Sequence, residues 1–137
     1  MAAKYISSPV PLPSLASMEE SGDWLVAVKG VDQSGPSFEA RIFLNNPEAD
    51  EETPMTLESG YAGSFEVYGY GMKPGHKSAR LPMDRSVEAT EAIRRELARG
   101  RKAITVTVVP ILAGTHPGQP TQLEEQLGIE GVEVVPK

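Results

Sequence analysis

Two stretches of the sequence have the period-two pattern of a β-strand, which limits the chain to folds built from sheets. The first stretch is apolar on both faces, and the second alternates apolar with polar side chains. The first stretch covers residues 24–28 and ends at Gly30. The second covers residues 38–44, in which Glu39 and Arg41 share the polar face. Residues rich in Ser, Gly and Pro separate the two stretches and are typical of a turn. The pattern therefore predicts an antiparallel hairpin.

Three later segments have the composition of further strands. They are residues 64–68, residues 104–109, which Pro110 is expected to stop, and residues 129–135. Short strands that are divided by turn residues in this way predict a mainly β fold. The architecture that we expect is an antiparallel β-sandwich with one inserted α-helix.

The inserted helix is predicted at about residues 86–99, where the apolar residues recur at helical spacing. Ser86 is a suitable N-cap, and Gly100 suits the position just past the C-cap, where many helices end in a left-handed conformation. The spacing predicts a narrow buried stripe, and we expect Ile93 and Leu97 to contact the core. The stripe consists of Ala89, Ala92, Ile93 and Leu97.

Residues 1–22 are predicted to be an extended N-terminal arm, rich in Pro and Ser, ahead of a single sandwich domain at residues 23–137. Pro9, Pro11 and Pro13 stand at alternate positions, which favours extended chain and excludes a helix there. Two conformations remain open for the arm. It is either a loose terminus or a segment draped over the domain.

The side chains available for metal and redox chemistry are few. The chain has no Cys, which excludes disulfides, thiolate metal ligands, iron–sulfur clusters and a Cys nucleophile. Its two histidines, His76 and His116, are too few for a dicopper site held by histidines. A Gly-x-Ser-x-Gly nucleophile elbow is absent as well. We therefore predict no catalytic residue, no metal site and no cofactor.

The net charge and the hydropathy of the chain argue against two classes of partner, nucleic acids and membranes. The formal net charge of −6 disfavours nucleic-acid binding, which needs a basic surface. No apolar run approaches the roughly 20 residues that span a bilayer. The N-terminal residues also lack the apolar stretch of a signal peptide. We expect a cytoplasmic protein that binds neither nucleic acid nor membrane.

Two segments are strongly charged. Residues 48–60 are acidic, and a solvated loop is favoured over a cation site because the ligand spacing of a calcium loop is absent. The second segment lies at the end of the predicted helix and is basic. It is either a solvated helix face or a docking surface for an acidic partner. Its members are Arg94, Arg95, Arg99, Arg101 and Lys102.

A glycine-rich stretch with three tyrosines is the predicted partner-binding surface. It contains Tyr61, Tyr68 and Tyr70, followed by Met72 and His76. The tyrosines are either strand-end aromatics that cover the core or an exposed patch for a partner. The stretch lacks the Gly-Lys-Ser/Thr ending of a phosphate-binding loop.

Several segments, read together, resemble the C-terminal β-sandwich domain that follows the dicopper domain in tyrosinases, polyphenol oxidases and molluscan haemocyanins. The resemblance covers about residues 23–135, and its most specific part is residues 61–71. The family's Phe-Gly-His-Gly turn appears here as Tyr-Gly-Tyr-Gly, with Tyr70 at the His position. The other segments are residues 38–50, residues 83–110 and residues 127–135.

The resemblance implies a domain that packs over a copper site and shields it. The dicopper domain itself has no counterpart in this sequence. The resemblance therefore implies a non-catalytic accessory or regulatory subunit, whose partner is a tyrosinase-like dicopper oxidase on another chain. The alternative is a self-sufficient binding module or homo-oligomer that uses the same tyrosine- and glycine-rich surface.

Overall fold

The computed structural model of the protein describes residues 4–14, 16, 22–32, 38–67, 82–112 and 128–137. Helix α1 spans Thr90–Ala98, and one turn of 3₁₀ helix spans Leu57–Ser59. The predicted mainly β fold is confirmed. The strands are β1 (Tyr5–Ile6), β2 (Val10–Pro11), β3 (Trp24–Asp32), β4 (Phe38–Leu44), β5 (Tyr61–Val67), β6 (Pro82–Glu88), β7 (Ala103–Ile104), β8 (Val106–Leu112) and β9 (Gly131–Pro136).

Two antiparallel sheets enclose the main core. The first has the strand order β1-β8-β4-β5 and the second the order β6-β3-β9, while β2 pairs with β7 beside them. Val26 and Val28 of the second sheet are buried in one cluster with Ala40 and Ile42 of the first. The apolar faces that the alternation predicted for β3 and β4 therefore meet in the interior, as they do in a sandwich.

β3 and β4 do not form the predicted hairpin. β3 pairs with β6 and β9, whereas β4 pairs with β5 and β8 in the other sheet. The prediction was wrong because alternation identifies which face of a strand is buried but not which strand lies beside it. Strands that follow one another in sequence are often neighbours, and this pair is an exception.

Gly30 and Pro110 lie inside strands rather than at the predicted strand ends. Gly30 has a φ of 63°, and the β3–β6 register shifts between Val28 and Val31. A glycine with positive φ accommodates such a bulge without ending the strand. Pro110 pairs with Ala40, outside the two positions of β8 that β1 covers. A proline is tolerated there because, among the residues that the structure describes, no strand pairs with that side of β8 at Pro110.

Helix α1 begins at Thr90 and not near Ser86, so the predicted N-cap is wrong. Ser86 belongs to β6, where it is paired with Ala27 of β3. This pairing outweighs the capping preference of the Ser side chain, and β6 continues to Glu88. The helix start is fixed instead by β3, because the backbone N–H of Trp24 donates to Thr90 Oγ1 at 3.0 Å.

The other predictions for the helix are confirmed. Gly100 has a φ of 82° and follows the C-cap residue Arg99, as expected for a left-handed helix end. In the predicted stripe, Ile93 is fully buried and Leu97 is half-buried against the main core. Ala89 and Ala92 are buried as well.

Residues 4–14 of the N-terminal arm follow the draped alternative. β1 pairs with β8 and β2 pairs with β7, and Val10 is buried in the main core. Ser7 is tied to β8 in both directions: its N–H donates to Val106 O, and Val106 N–H donates to Ser7 Oγ, each at 2.9 Å. Prolines suit such an arm because short edge pairings need few N–H donors.

Candidate functional site

Of the predicted partner-binding residues, Tyr61 lies in the described part of the chain. It is the first residue of β5 and is half-buried. The other four, together with His116, lie outside the described residues. Those four are Tyr68, Tyr70, Met72 and His76.

The Tyr61 ring lies against a small second core on the far side of β4. Its centroid is 5.6 Å from that of Phe43, and the rings meet edge to face at 62°. Phe43, Ala49 and Val109 are the buried members of this second core. The contact agrees with the core-covering alternative for this tyrosine, since edge-to-face pairs of this kind stabilise a fold.

Tyr61 also lines a surface groove between the 3₁₀ turn, β5 and the start of α1. The groove wall is mixed, with apolar side chains beside two carboxylates and the Thr90 hydroxyl. One of the carboxylates, Glu88, accepts a hydrogen bond from Lys137 Nζ at 3.1 Å. The lining residues are Leu57, Tyr61, Ala62, Glu88, Ala89, Thr90, Glu91 and Ala92.

The acidic segment forms a hydrogen-bonded turn followed by the 3₁₀ turn. Asp50 Oδ1 accepts from the backbone N–H of Glu52 at 2.9 Å and from Thr53 Oγ1 at 3.2 Å. The side chains of Glu51 and Glu52 are exposed. In the described residues no group of three or more His, Asp or Glu side chains is placed to hold a metal ion. The exposure of these side chains agrees with the predicted solvated loop.

A buried carboxylate lies at the C-terminal end of α1, among arginines. Glu96 is 1% exposed, and its carboxylate is 3.7 Å from a guanidinium nitrogen of Arg95, 3.7 Å from one of Arg99 and 4.0 Å from one of Arg101. Asn45 Nδ2 donates to Glu96 Oε1 at 3.4 Å. Burial of a carboxylate is unfavourable unless charged or hydrogen-bonding partners surround it, and these four side chains provide them.

The role of Glu96 was missed in the sequence, although a signal for it exists. Glu96 lies three residues after Ile93 and four after Ala92, so it continues the buried stripe. A glutamate on an apolar stripe and close to several arginines indicates a buried ion-pair cluster. The basic segment was predicted to be either a solvated helix face or a docking surface. Neither alternative is complete, because three of its arginines lie around the buried carboxylate of Glu96.

We expect Glu96→Ala to lower the free energy of unfolding by about 1–3 kcal/mol, because the charged contacts to Asn45 and the arginines are lost. The arginine side chains are between 27% and 49% exposed, so water still solvates them. The loss of stability should therefore be smaller than that on breaking a fully buried ion pair. Urea denaturation measures the change. Glu91→Ala, on the exposed face of the same helix, is the matched control. Equal losses in the two variants would contradict a role for burial.

None of the helices in the described residues is long and apolar enough to cross a membrane. No protein-family model matches the sequence, and no curated protein is similar enough to count as a match. Solved structures do match. Latent aurone synthase, a polyphenol oxidase from a natural source, superposes with a TM-score of 0.61 at 21% identity, over 98% of this chain and 25% of that chain.

The chain has the fold of one part of the polyphenol oxidases. Latent apple tyrosinase gives a second match, with a TM-score of 0.58 at 15% identity, over 98% of this chain and 26% of that chain. Recombinant latent aurone synthase gives a TM-score of 0.60 at 21% identity, again over 25% of that chain. This chain spans about a quarter of their length, which is consistent with their C-terminal domain. The resemblance seen in the sequence is confirmed as a likeness of fold.

Proposed function

We propose that this protein is a non-catalytic accessory or regulatory subunit, which binds and shields the active site of a separately encoded tyrosinase-like copper oxidase. The observation that carries the proposal is the fold match over 98% of the chain to proteins described as latent enzymes. A latent enzyme is one whose active site is held inactive. The proposed subunit would keep the active site of its partner oxidase inactive by binding to the oxidase as a separate chain.

Three features of the chain support a binding role over a catalytic one. The sequence has no Cys and two His, and the described residues contain no cluster that could hold a metal ion. The matched region of the polyphenol oxidases is their non-catalytic part. The groove beside Tyr61, with its mixed apolar and polar lining, offers a surface on which a partner's side chain could pack. We propose that it needs no cofactor and acts in the cytoplasm, the location that the sequence favours.

The proposed contact surface is the tyrosine- and glycine-rich stretch that begins at Tyr61. Aromatic side chains on a short segment make effective interface anchors, because they offer a large contact area at a low cost in conformational entropy. The Tyr61 ring packs against Phe43, and Tyr61 also lines the groove, so it lies between the second core and this surface. Tyr70 stands in the sequence where the resembling family has a histidine, and it is the proposed central anchor.

Purification of the tagged protein from its native host, followed by mass spectrometry, tests the partnership. We expect a co-purifying copper oxidase with the histidine motifs of a dicopper site. We also expect the oxidase activity of that partner to fall when the purified protein is added back. Recovery of no copper protein under conditions that preserve weak complexes would overturn the proposal.

We expect Tyr70→Ala to weaken binding to that oxidase by about 1–3 kcal/mol while the melting temperature stays nearly unchanged. Isothermal titration calorimetry and thermal denaturation of the same variant measure the two effects. The paired control, Glu51→Ala with Glu52→Ala, should leave the affinity for the oxidase almost unchanged at physiological salt. A Tyr70→Ala protein that melts lower but binds as the wild type would show that the ring covers the core instead.

A further inference from the structure

The arginines around Glu96 bring positive charge together at one point of the surface. A guanidinium nitrogen of Arg95 and one of Arg99 each lie 3.7 Å from the same carboxylate oxygen of Glu96, Oε2. A guanidinium nitrogen of Arg101 lies 4.0 Å from the other oxygen, Oε1. Groups that approach a single carboxylate this closely are also close to one another. We call Arg95, Arg99 and Arg101 the arginine triad.

The backbone at the end of α1 brings the triad together. Gly100 has a φ of 82°, and this left-handed residue turns the chain between Arg99 and Arg101. The N–H groups of these three residues donate to the carbonyl oxygens of residues 95–97. The last carbonyls of a helix carry the negative end of its dipole, so these hydrogen bonds reduce the repulsion that an anion would meet there.

The triad carries more positive charge than its neighbours neutralise. Three guanidinium groups lie around a single carboxylate, which leaves an excess of two positive charges. Among the described residues, no other carboxylate lies within 4.0 Å of a triad nitrogen. The whole chain has a net charge of −6 and so exerts no general attraction on anions. An anion that binds to this protein would therefore be held by local contacts with the triad.

Two members of the triad have hydrogen-bond donors to spare. A guanidinium group has five N–H donors in a planar fork. Arg95 uses one of them on the backbone oxygen of Leu57, at 2.7 Å, which fixes its position. The side chains of Arg99 and Arg101 donate no hydrogen bond within the described residues, and they are 49% and 46% exposed. Their donors are open to a ligand from solvent, while the ion pairs with Glu96 hold their charged ends in place.

We propose that the arginine triad binds a phosphoryl dianion, which is either free phosphate or the terminal group of a small phosphomonoester. A phosphomonoester carries about −1.5 to −2 charges at pH 7, which matches the excess of two positive charges on the triad. Its oxygens accept paired N–H groups from the planar forks of arginines. A single carboxylate would balance only one of the two charges. The triad therefore favours a phosphoryl group over a carboxylate.

Isothermal titration calorimetry of the purified protein at constant ionic strength tests the site, with inorganic phosphate as the first probe. We expect saturable one-to-one binding of phosphate. Acetate, which carries one charge, should bind at least about tenfold more weakly, and equal binding of the two anions would overturn the proposal. Ethyl phosphate is the second probe. Whichever phosphate binds more tightly identifies the source, free or esterified, and either order supports a phosphoryl site.

Substitutions in the triad separate this site from the charge of the protein as a whole. Arg99→Gln with Arg101→Gln removes the open donors and the excess charge, so the affinity for phosphate should fall at least about tenfold. The matched control, Arg85→Gln with Arg94→Gln, removes the same charge from two exposed arginines outside the triad. It should leave the affinity within about twofold of the wild type. Arg99→Lys with Arg101→Lys keeps cations beside Glu96 but loses the planar forks, and should weaken binding by roughly threefold or more.

NMR spectroscopy of the wild-type protein gives a result that does not depend on the folding of any variant. The side-chain Nε–H signals of Arg99 and Arg101 should shift on addition of phosphate, whereas those of Arg85 and Arg94 should not. The proposal is overturned by a wild-type protein that binds no phosphate at millimolar concentration, or by equal losses of affinity in the triad and control variants. The site does not depend on the proposed oxidase partner, since it is measured on the purified protein alone.

Discussion

We expect Phe43→Ala to lower the free energy of unfolding by about 3–5 kcal/mol. Phe43 is completely buried in the second core, with Ala49, Val109 and the ring of Tyr61 around it. Truncation removes most of the apolar surface of that small core. It also leaves a cavity that the paired backbones of β4, β5 and β8 cannot close.

Urea denaturation gives the size of the loss, as a lower midpoint with an unchanged slope. Phe43→Leu keeps most of the buried surface and should cost less than about 1.5 kcal/mol. Met55→Ala truncates an apolar side chain that is 51% exposed and should change the stability by no more than about 0.5 kcal/mol. If Phe43→Ala costs as little as Met55→Ala, the second core contributes nothing to stability.

The second core also bears on the two alternatives for Tyr61, which are to cover the core and to contact a partner. Its ring packs against Phe43, so the core-covering alternative holds for the side of the ring that faces Phe43. The rest of the residue lines the groove beside α1 and remains open to a partner. The structure thus supports the core-covering alternative for the side of the ring that packs on Phe43, and a partner contact by the rest of the residue stays a prediction.

Local patterns predicted the buried faces well. The alternation in residues 38–44 placed Ala40 and Ile42 in the main core, and the helical spacing placed Ile93 there. Gly100 was recognised as the helix end from its position after the last apolar residue. These features depend on the backbone geometry of one element at a time, so the sequence of that element is sufficient to predict them.

Features that depend on two distant elements were not predicted. Ser86 has the side chain of an N-cap, yet its pairing with Ala27, far away in sequence, keeps it in a strand. β3 and β4 have the pattern of a hairpin, yet each finds its partners elsewhere. The burial of Glu96 depends on arginines and on Asn45, which belongs to a turn after β4. Of the predicted contact surface, Tyr61 alone falls in the described residues, so the position of the other four stays a prediction.

We expect Gly60→Ala to lower the free energy of unfolding by about 2–5 kcal/mol, through two effects that add. Gly60 has a φ of 90°, a conformation that costs any other residue about 1–2 kcal/mol. A Cβ at this position would also lie on the backbone oxygen of Leu44. That oxygen cannot move away easily, because the N–H of Leu44 donates to Gly60 O at 2.8 Å and so ties the two backbones together.

Gly100→Ala separates these effects. Gly100 has nearly the same conformation, with a φ of 82°, but nothing lies within 4 Å of the position that its Cβ would take. It should therefore show the cost of the left-handed conformation alone, about 1–2 kcal/mol, and the difference between the two variants is the cost of the collision with Leu44. Equal losses in urea denaturation would mean that the backbone around Gly60 relaxes freely. A larger loss at Gly60 would show that the link from Leu57 to Tyr61 is held rigidly against β4. Leu57 and Tyr61 lie on either side of Gly60 and both line the groove beside α1, so such rigidity would hold that groove in a fixed shape.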